Sequence, residues 1–397
     1  MLQLPPGEGV LPNHTLLDAI EAGVIAADDE IPERNVQPAS LDLRLGDRAY
    51  RIRCSFLPDD ETVERKAKAF IEDTVDLTKD GALLEPDRPY LIPLKERLAL
   101  PAGMSAKANP KSSTGRIDVF TRVITDRSYR FDEIADGYEG QLYLEVVPLS
   151  FPVRVGMDLT LNQVRLSYGR AAMSDDDVRA YHAHTPLLYD GDEPVPAEKL
   201  ALSNGMFLGL DLRGDASGRV GYRAREHAPT LDLTKTGAVE PGPYWEDVLR
   251  EEGNRTVLSP RKFYLLMSNE AVSVPPDLAA EMTAYDPTSG ELRTHYAGFF
   301  DPGFGYDRDG KFHGSRAALE VRAHDVPFNI EDGQRVCKLT FERMLAEPDT
   351  FYGDTGIKSN YQGQQDALGK HFLRPSRPEA RSPRRGASQD QLDLGAD

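Results

Sequence analysis

The second half of the chain repeats the first, motif by motif and in the same order. The run LLEPDRPYLIPLKERLALPAGM at 83–104 returns as TVLSPRKFYLLMSNEAVSVPPDL at 256–278. Val75-Asp-Leu-Thr-Lys-Asp-Gly-Ala82 returns as Leu231-Asp-Leu-Thr-Lys-Thr-Gly-Ala238, and Asn109-Pro-Lys-Ser-Ser-Thr-Gly-Arg116 as Asp286-Pro-Thr-Ser-Gly-Glu-Leu-Arg293. Gly140–Glu145 returns as Gly314–Glu320, and LTLNQVRL (159–166) near GQRVCKLTF (333–341). Matches in one order over this length mean two copies of one domain, so whatever one copy folds into, the other must also fold into.

The repeated unit reads as β. YLIPL, ERLALP, IDVFTRVIT, GQLYLEVVPL, FPVRVG and LTLNQVRLSYG are short apolar or alternating runs punctuated by Gly, Pro and Asp, the spacing of a sandwich or barrel. QPASLDLRLG at 37–46 alternates Leu41, Leu43 and Leu45 with Asp42 and Arg44, a half-buried strand. The expected fold class is therefore all-β, mostly antiparallel, in two tandem domains with a few short helices. One helix is expected from Thr15 as N-cap to Gly23 as stop, a second over 59–73, and a third in the insert PGPYWEDVLREEGN, from Pro243 to Gly253. The organisation read from the sequence is an N-terminal arm (1–12), a first domain (13–170) and an acidic, Pro-rich linker (171–204). A second domain (205–350), a polar tail (351–373) and a segment of disordered composition (374–397) follow.

Charge and cysteine content narrow the function. A net charge of −18 over 397 residues argues against general nucleic-acid binding. A polyanionic substrate would need a local basic pocket and a divalent cation. Cys54 and Cys337 form no CxxC, the histidines show no HExxH, and there is no HxE with PCxxC, so a zinc centre is not expected. No apolar run reaches membrane length, and the expected protein is soluble and cytoplasmic, with no membrane partner.

The candidate chemistry lies in three places. Tyr296–Arg322 turns at Asp301-Pro302-Gly303 and then enters a β segment in which Glu320 stands between Leu319 and Val321. In a strand that acid points away from its neighbours, and if its face lines a pocket, desolvation raises its pKa and suits it to general acid–base work. Glu145 holds the same position in the first copy. Lys111-Ser112-Ser113-Thr-Gly-Arg116 offers hydroxyls, cations and backbone N–H groups to phosphate, without the P-loop pattern. The tail Lys358–Gln365 carries Tyr361 and Gln364 and could close over a ligand.

QPASLDLRLG, the KSSTGR loop, AGFFDPGFG followed by ALE, and the YQGQQ tail together resemble the dCTP deaminase family, spread here over a duplication like that of its double-domain members. The resemblance implies the dUTPase-like fold, a distorted β-barrel or jelly roll, once per copy. It implies hydrolytic deamination of dCTP to dUTP and ammonia in pyrimidine deoxynucleotide metabolism, with a strand Glu activating water, no zinc, and magnesium carried by the triphosphate. By the resemblance, Glu320, Ser112 and Arg116 are catalytic, and Lys111, Ser113, Ala297, Asp301, Lys358, Tyr361 and Gln364 bind substrate. The first copy departs from the pattern at its turn, where Ala135 replaces the Asp, and Lys111 stands for the usual Arg. The second keeps only Ser289 and Arg293 of its loop. A composite site is therefore expected, the first copy giving the phosphate loop and the second the base pocket, with Glu145, Ser289 and Arg293 left as a degenerate site. A homo-oligomer, with dCTP and dUTP as ligands and dTTP as an inhibitor, completes what the resemblance implies. The competing readings are a dUTP pyrophosphatase, a bifunctional deaminase–pyrophosphatase, and a nucleotide-binding regulatory protein without turnover.

Overall fold

The computed structural model describes residues 2–283, 298–307, 313–323, 325–354, 361–364 and 366–373, and the backbone of Leu292–Thr294. It is almost wholly antiparallel β, with four short α-helices among the described residues. Each copy places two sheets face to face. In the first, the strands Val119–Thr125, Glu139–Pro148, Tyr90–Ala99, Arg48–Ile52 and Ile71–Asp76 lie side by side in that order. In the second, Leu292–Thr294, Ser315–Ala323, Phe263–Val272, Arg219–Ala224 and Trp245–Leu249 follow the same path. Glu145 pairs across the ladder with Leu91, and Glu320 pairs with Leu265, so the two acids hold equivalent positions. The opposing sheets match as well: Met104–Pro110, Thr160–Tyr168 and Ser40–Arg44 correspond to Leu278–Thr283, Arg335–Arg343 and Met206–Gly209.

The expected linker is instead the beginning of the second copy. The helix Asn13–Glu21 has its counterpart in Asp175–His182, which is capped by Ser174 in a capping box with Asp177. Ile25–Ala26 pairs with Tyr90–Ala99, and Leu188–Asp190 pairs likewise with Phe263–Val272. Even the entry strand is repeated, since Val10 pairs with Ser167 and Ala172 bridges Glu342. Acidic, Pro-containing sequence hid this element because its strands are two or three residues long and carry little alternation. The expected N-terminal arm is packed at its end: Val10 and Leu11 are fully buried, and the Leu345 N–H bonds the Val10 carbonyl at 2.8 Å.

The helix expectations need correction. The first helix begins two residues before Thr15, after Pro12, and Thr15 is buried in its first turn. Gly23, at a φ of +74°, does follow its end. Of 59–73 only Val63–Ala67 is helical, with Thr62 as N-cap, and a strand starts at Ile71. The insert forms no helix. Trp245–Leu249 is a strand paired with Arg219–Ala224, because Trp245 is buried against Phe151, Phe263 and Phe372, and that packing outweighs the local Pro and Gly signals. The echo of 75–82 in 231–238 is local. Asp76 accepts from Thr78 as Asp232 accepts from Thr234, yet Leu231–Asp232 adds in parallel to Val153–Val155 of the first copy.

The copies share a core. Tyr222, Leu231, Trp245, Phe263 and Leu265 of the second copy pack into one cluster with Ile117, Phe151 and Val153 of the first. Burying this apolar surface, at roughly 25 cal/mol per Å², holds the two halves together. Among the described residues no helix is long and apolar enough to cross a membrane.

Candidate active site between the two halves

A cavity of about 340 Å³ opens along this junction. Lys111, Ser112, Ser113 and Arg116 line it from the first copy, and Asp301, Glu320, Tyr361 and Gln364 from the second. The described residues of the expected composite site are thus together in one place. Ala297, Lys358 and Ser289 lie outside the described residues, and Arg293 is placed only by its backbone, paired with Arg322.

The loop is built by one short helical turn, Ser112–Gly115, entered from the strand that ends at Pro110. Thr114 donates to the Leu161 carbonyl at 2.8 Å and fixes the turn to the sheet. Lys111 reaches back to Asp42 and to Thr160 Oγ1, the latter at 3.0 Å. Arg116 faces the other copy. It donates to Gln364 Oε1 at 2.7 Å and to the Ala367 carbonyl at 3.2 Å, and its guanidinium lies 3.6 Å from the centroid of the Tyr361 ring. The tail is therefore held to the first copy by an arginine of the loop.

Glu320 comes from the middle of Ser315–Ala323, between fully buried Leu319 and Val321 that face the interior of the second copy. Its own side chain faces the cavity and is only 8% exposed. Burial pushes its pKa up to about 8, against the opposing pull of Arg116. Asp301 is also raised by burial, but it is committed: Arg165 of the first copy meets it at 3.0 Å, and Ser40 donates to it at 3.4 Å. Gly303 has a φ of +97°, and a Cβ there would come within 2.7 Å of the Tyr352 backbone nitrogen, so the Asp-Pro-Gly turn needs its glycine for the tail to pass.

The cavity is locally basic on an acidic protein. Arg34, Lys111, Arg116 and Lys370 line it, while two of its three acids, Asp42 and Asp301, are engaged by cations. Asp42, Arg34, Thr236 and Lys370 escaped the sequence reading. Asp42 and Thr236 carried a signal, Asp42 standing in the run QPASLDLRLG and Thr236 in the repeat Leu231–Ala238. Among the described residues no group of three or more His, Cys, Asp or Glu side chains is set to hold a metal ion.

The other acid is differently placed. Glu145 is 1% exposed, Arg122 meets it at 2.8 Å, and Ser55 donates to it at 2.6 Å. Arg122 in turn lies over Phe131 at 3.7 Å. All of these partners belong to the first copy.

Two antiparallel β domains joined across a basic, carboxylate-bearing cavity make an internally duplicated β protein. Residues 7–170 match the family model of the 2'-deoxycytidine 5'-triphosphate deaminase (DCD) N-terminal domain, and residues 174–372 that of the DCD C-terminal domain. The chain belongs to the dCTP deaminase family. The crystal structure of 2'-deoxycytidine 5'-triphosphate deaminase from Agrobacterium tumefaciens is similar at a TM-score of 0.80 and 42% identity, covering 86% of this chain and 99% of that one. A dCTP deaminase of Natronomonas pharaonis is 27% identical over 46% of this chain and 89% of its own length. A "dCTP deaminase, dUMP-forming" of Methanosphaera stadtmanae is 26% identical over 49% and 90%. A Methanobrevibacter smithii protein of the same description is 32% identical over 30% of this chain, which spans 59% of that relative's length.

Proposed function

We propose that the chain deaminates dCTP hydrolytically to dUTP and ammonia, using a water activated by Glu320. The observation that carries this reading is a buried carboxyl, raised to about 8, in the same cavity as the hydroxyl- and cation-bearing loop of the other copy. Glu320 as carboxylate takes a proton from water as the hydroxide adds to C4 of the cytosine ring, and hands that proton to N3. It then takes the proton of the new C4–OH group and passes it to the exocyclic amine, the C4–N bond breaks, ammonia leaves, and C4 becomes the uracil carbonyl. Ser112 and Arg116 stand beside this path and orient the water. Lys111, Ser113, Tyr361 and Gln364 take the phosphates, joined by Arg34 and Lys370.

Magnesium enters with the triphosphate in this reading. The donor set fits: Asp42 Oδ1 is buried, without a hydrogen-bond partner, on the cavity wall, and a hard cation favours such an oxygen beside phosphates. Asp42 would hold the ion, which would neutralise phosphate charge; the proton transfers belong to Glu320.

A second reading adds cleavage of dUTP to dUMP and pyrophosphate, and is favoured by the dUMP-forming relatives. Product analysis from dCTP with magnesium tests both. Ammonia with dUTP supports deamination alone, ammonia with dUMP supports the bifunctional reading, and dCTP bound without ammonia refutes both.

A further inference from the structure

The face that Glu145 occupies is the counterpart of the face that makes the active site, and the chain covers it with its own segment. On the Glu320 sheet, Ala318, Tyr222, Ala224, Trp245 and Leu265 pack into the core shared with the first copy. The pairing registers make their equivalents Tyr143, Tyr50, Ile52, Ile71 and Leu91. Those residues form a separate cluster, closed by Phe56, Val63, Ala67, Phe70 and Phe131 of the same copy. The cover is fastened at its edges. The Val63 N–H bonds Asp126 at 2.7 Å, the Arg127 N–H bonds the Glu61 carbonyl at 2.9 Å, and Phe56 stacks on Phe70. A serine and an arginine, Ser55 and Arg122, also meet Glu145 there, the residue types that Ser112 and Arg116 bring to the Glu320 cavity.

We infer that the segment Ser55–Phe70 is an internal stand-in for a neighbouring domain, which closes the second pseudo-site and leaves each chain one complete nucleotide site made wholly from its own two halves. The interface between the copies is head-to-tail, loop of one against Glu face of the other, so an uncovered Glu145 face would stay open to a further domain in the same sense. With the cover in place that face is an apolar cluster, and its carboxylate is buried against Arg122 and Ser55.

The inference rests on the proposed function and is tested on the full chain. The Glu320→Gln variant is titrated with dCTP and magnesium by calorimetry, and the wild type is assayed across dilutions at which its mass is followed by sedimentation. One dCTP per chain, with activity per chain constant through any dissociation, is the expected result. Two dCTP per chain, or activity that falls as assemblies dissociate, overturns the inference while leaving the functional reading intact. No dCTP binding at all overturns that reading and the inference with it. A second variant guards the count: Glu145→Gln with Arg122→Gln removes the local charge pair, and should lower the melting temperature while the stoichiometry stays at one. A loss of nucleotide binding in that variant, while it remains folded by circular dichroism, would overturn the inference too.

Discussion

Arg116 of the first copy and Tyr361 of the second lie face to face, guanidinium to ring, 3.6 Å apart. The contact ties the phosphate loop to the tail, so a residue more than two hundred positions upstream belongs to the Glu320 site. Arg116→Ala and Ser112→Ala are expected to lower kcat/KM by about 10²-fold or more although neither lies in the copy that carries Glu320. Arg116→Lys should not restore it, since an ammonium cannot stack on Tyr361 and also reach Gln364 and Ala367. Steady-state kinetics of the three variants check this, and wild-type rates in any of the alanine variants would remove the loop from the site.

Glu320→Gln should cost about 10²–10⁴-fold in turnover with dCTP binding nearly kept, because the amide holds the shape but takes no proton from water. Glu145→Gln should leave turnover close to wild type and act on stability instead. Its carboxylate is the buried partner of Arg122, and losing it should cost about 3 kcal/mol in urea denaturation. Equal kinetic losses in both variants would mean two working sites.

The pH dependence follows from the raised carboxyl. With a pKa near 8 in the free protein, the base form of Glu320 is a minority at neutral pH. Log kcat/KM should climb with a slope near one from about pH 6 and level off above about pH 8. Stability runs the other way. A carboxyl whose folded pKa lies above its ordinary value of 4.5 binds more protons folded than unfolded, so its contribution is full at low pH and is lost as pH rises through 8. The melting temperature of the wild type should therefore fall relative to Glu320→Gln between about pH 5 and 8.

Arg165 is nearly fully buried and serves two acids of the other copy, Asp301 at 3.0 Å and Glu342 at 3.2 Å. Arg165→Met leaves Asp301 without its cation in the interior and Glu342 with Lys107 alone, at 3.6 Å. The expected cost is about 3–5 kcal/mol, read by urea denaturation, with activity lost in parallel because the Asp-Pro-Gly turn loses its anchor.

Metal removal separates the two ions considered. A zinc-selective chelator should leave deamination unchanged, while EDTA should slow it and added magnesium should restore it. Rescue by zinc after chelation would refute the mechanism.

The strands, the duplication and the order of the motifs were legible because they repeat, and a pattern seen twice is hard to misread. Pairing of Lys111–Arg116 with Glu320 was legible for a different reason: each copy lacked what the other kept. What escaped was set by tertiary contact. Trp245 reads locally as part of a helix and becomes a strand only because Phe151, Phe263 and Phe372 surround it. Asp175–His182 reads as linker because its acidic first turn looks like solvent-exposed sequence, when it is the N-terminal charge of a capped helix. The plugging of Glu145 by Arg122 was beyond reach, since their 23-residue separation becomes contact only through the ladder that sets Arg122 opposite Glu145.

The first copy ends at Tyr168 and the second begins its own entry strand at Ala172, so the covalent join is a few residues long and takes no part in the cavity. A gene split at this point should encode two polypeptides that find each other in the cell and restore deamination when produced together, while either alone should be insoluble through its uncovered half of the shared core. The peptide bond between the copies then serves dosage: it guarantees one loop-bearing half for every Glu320-bearing half, a ratio that two separate genes would have to regulate.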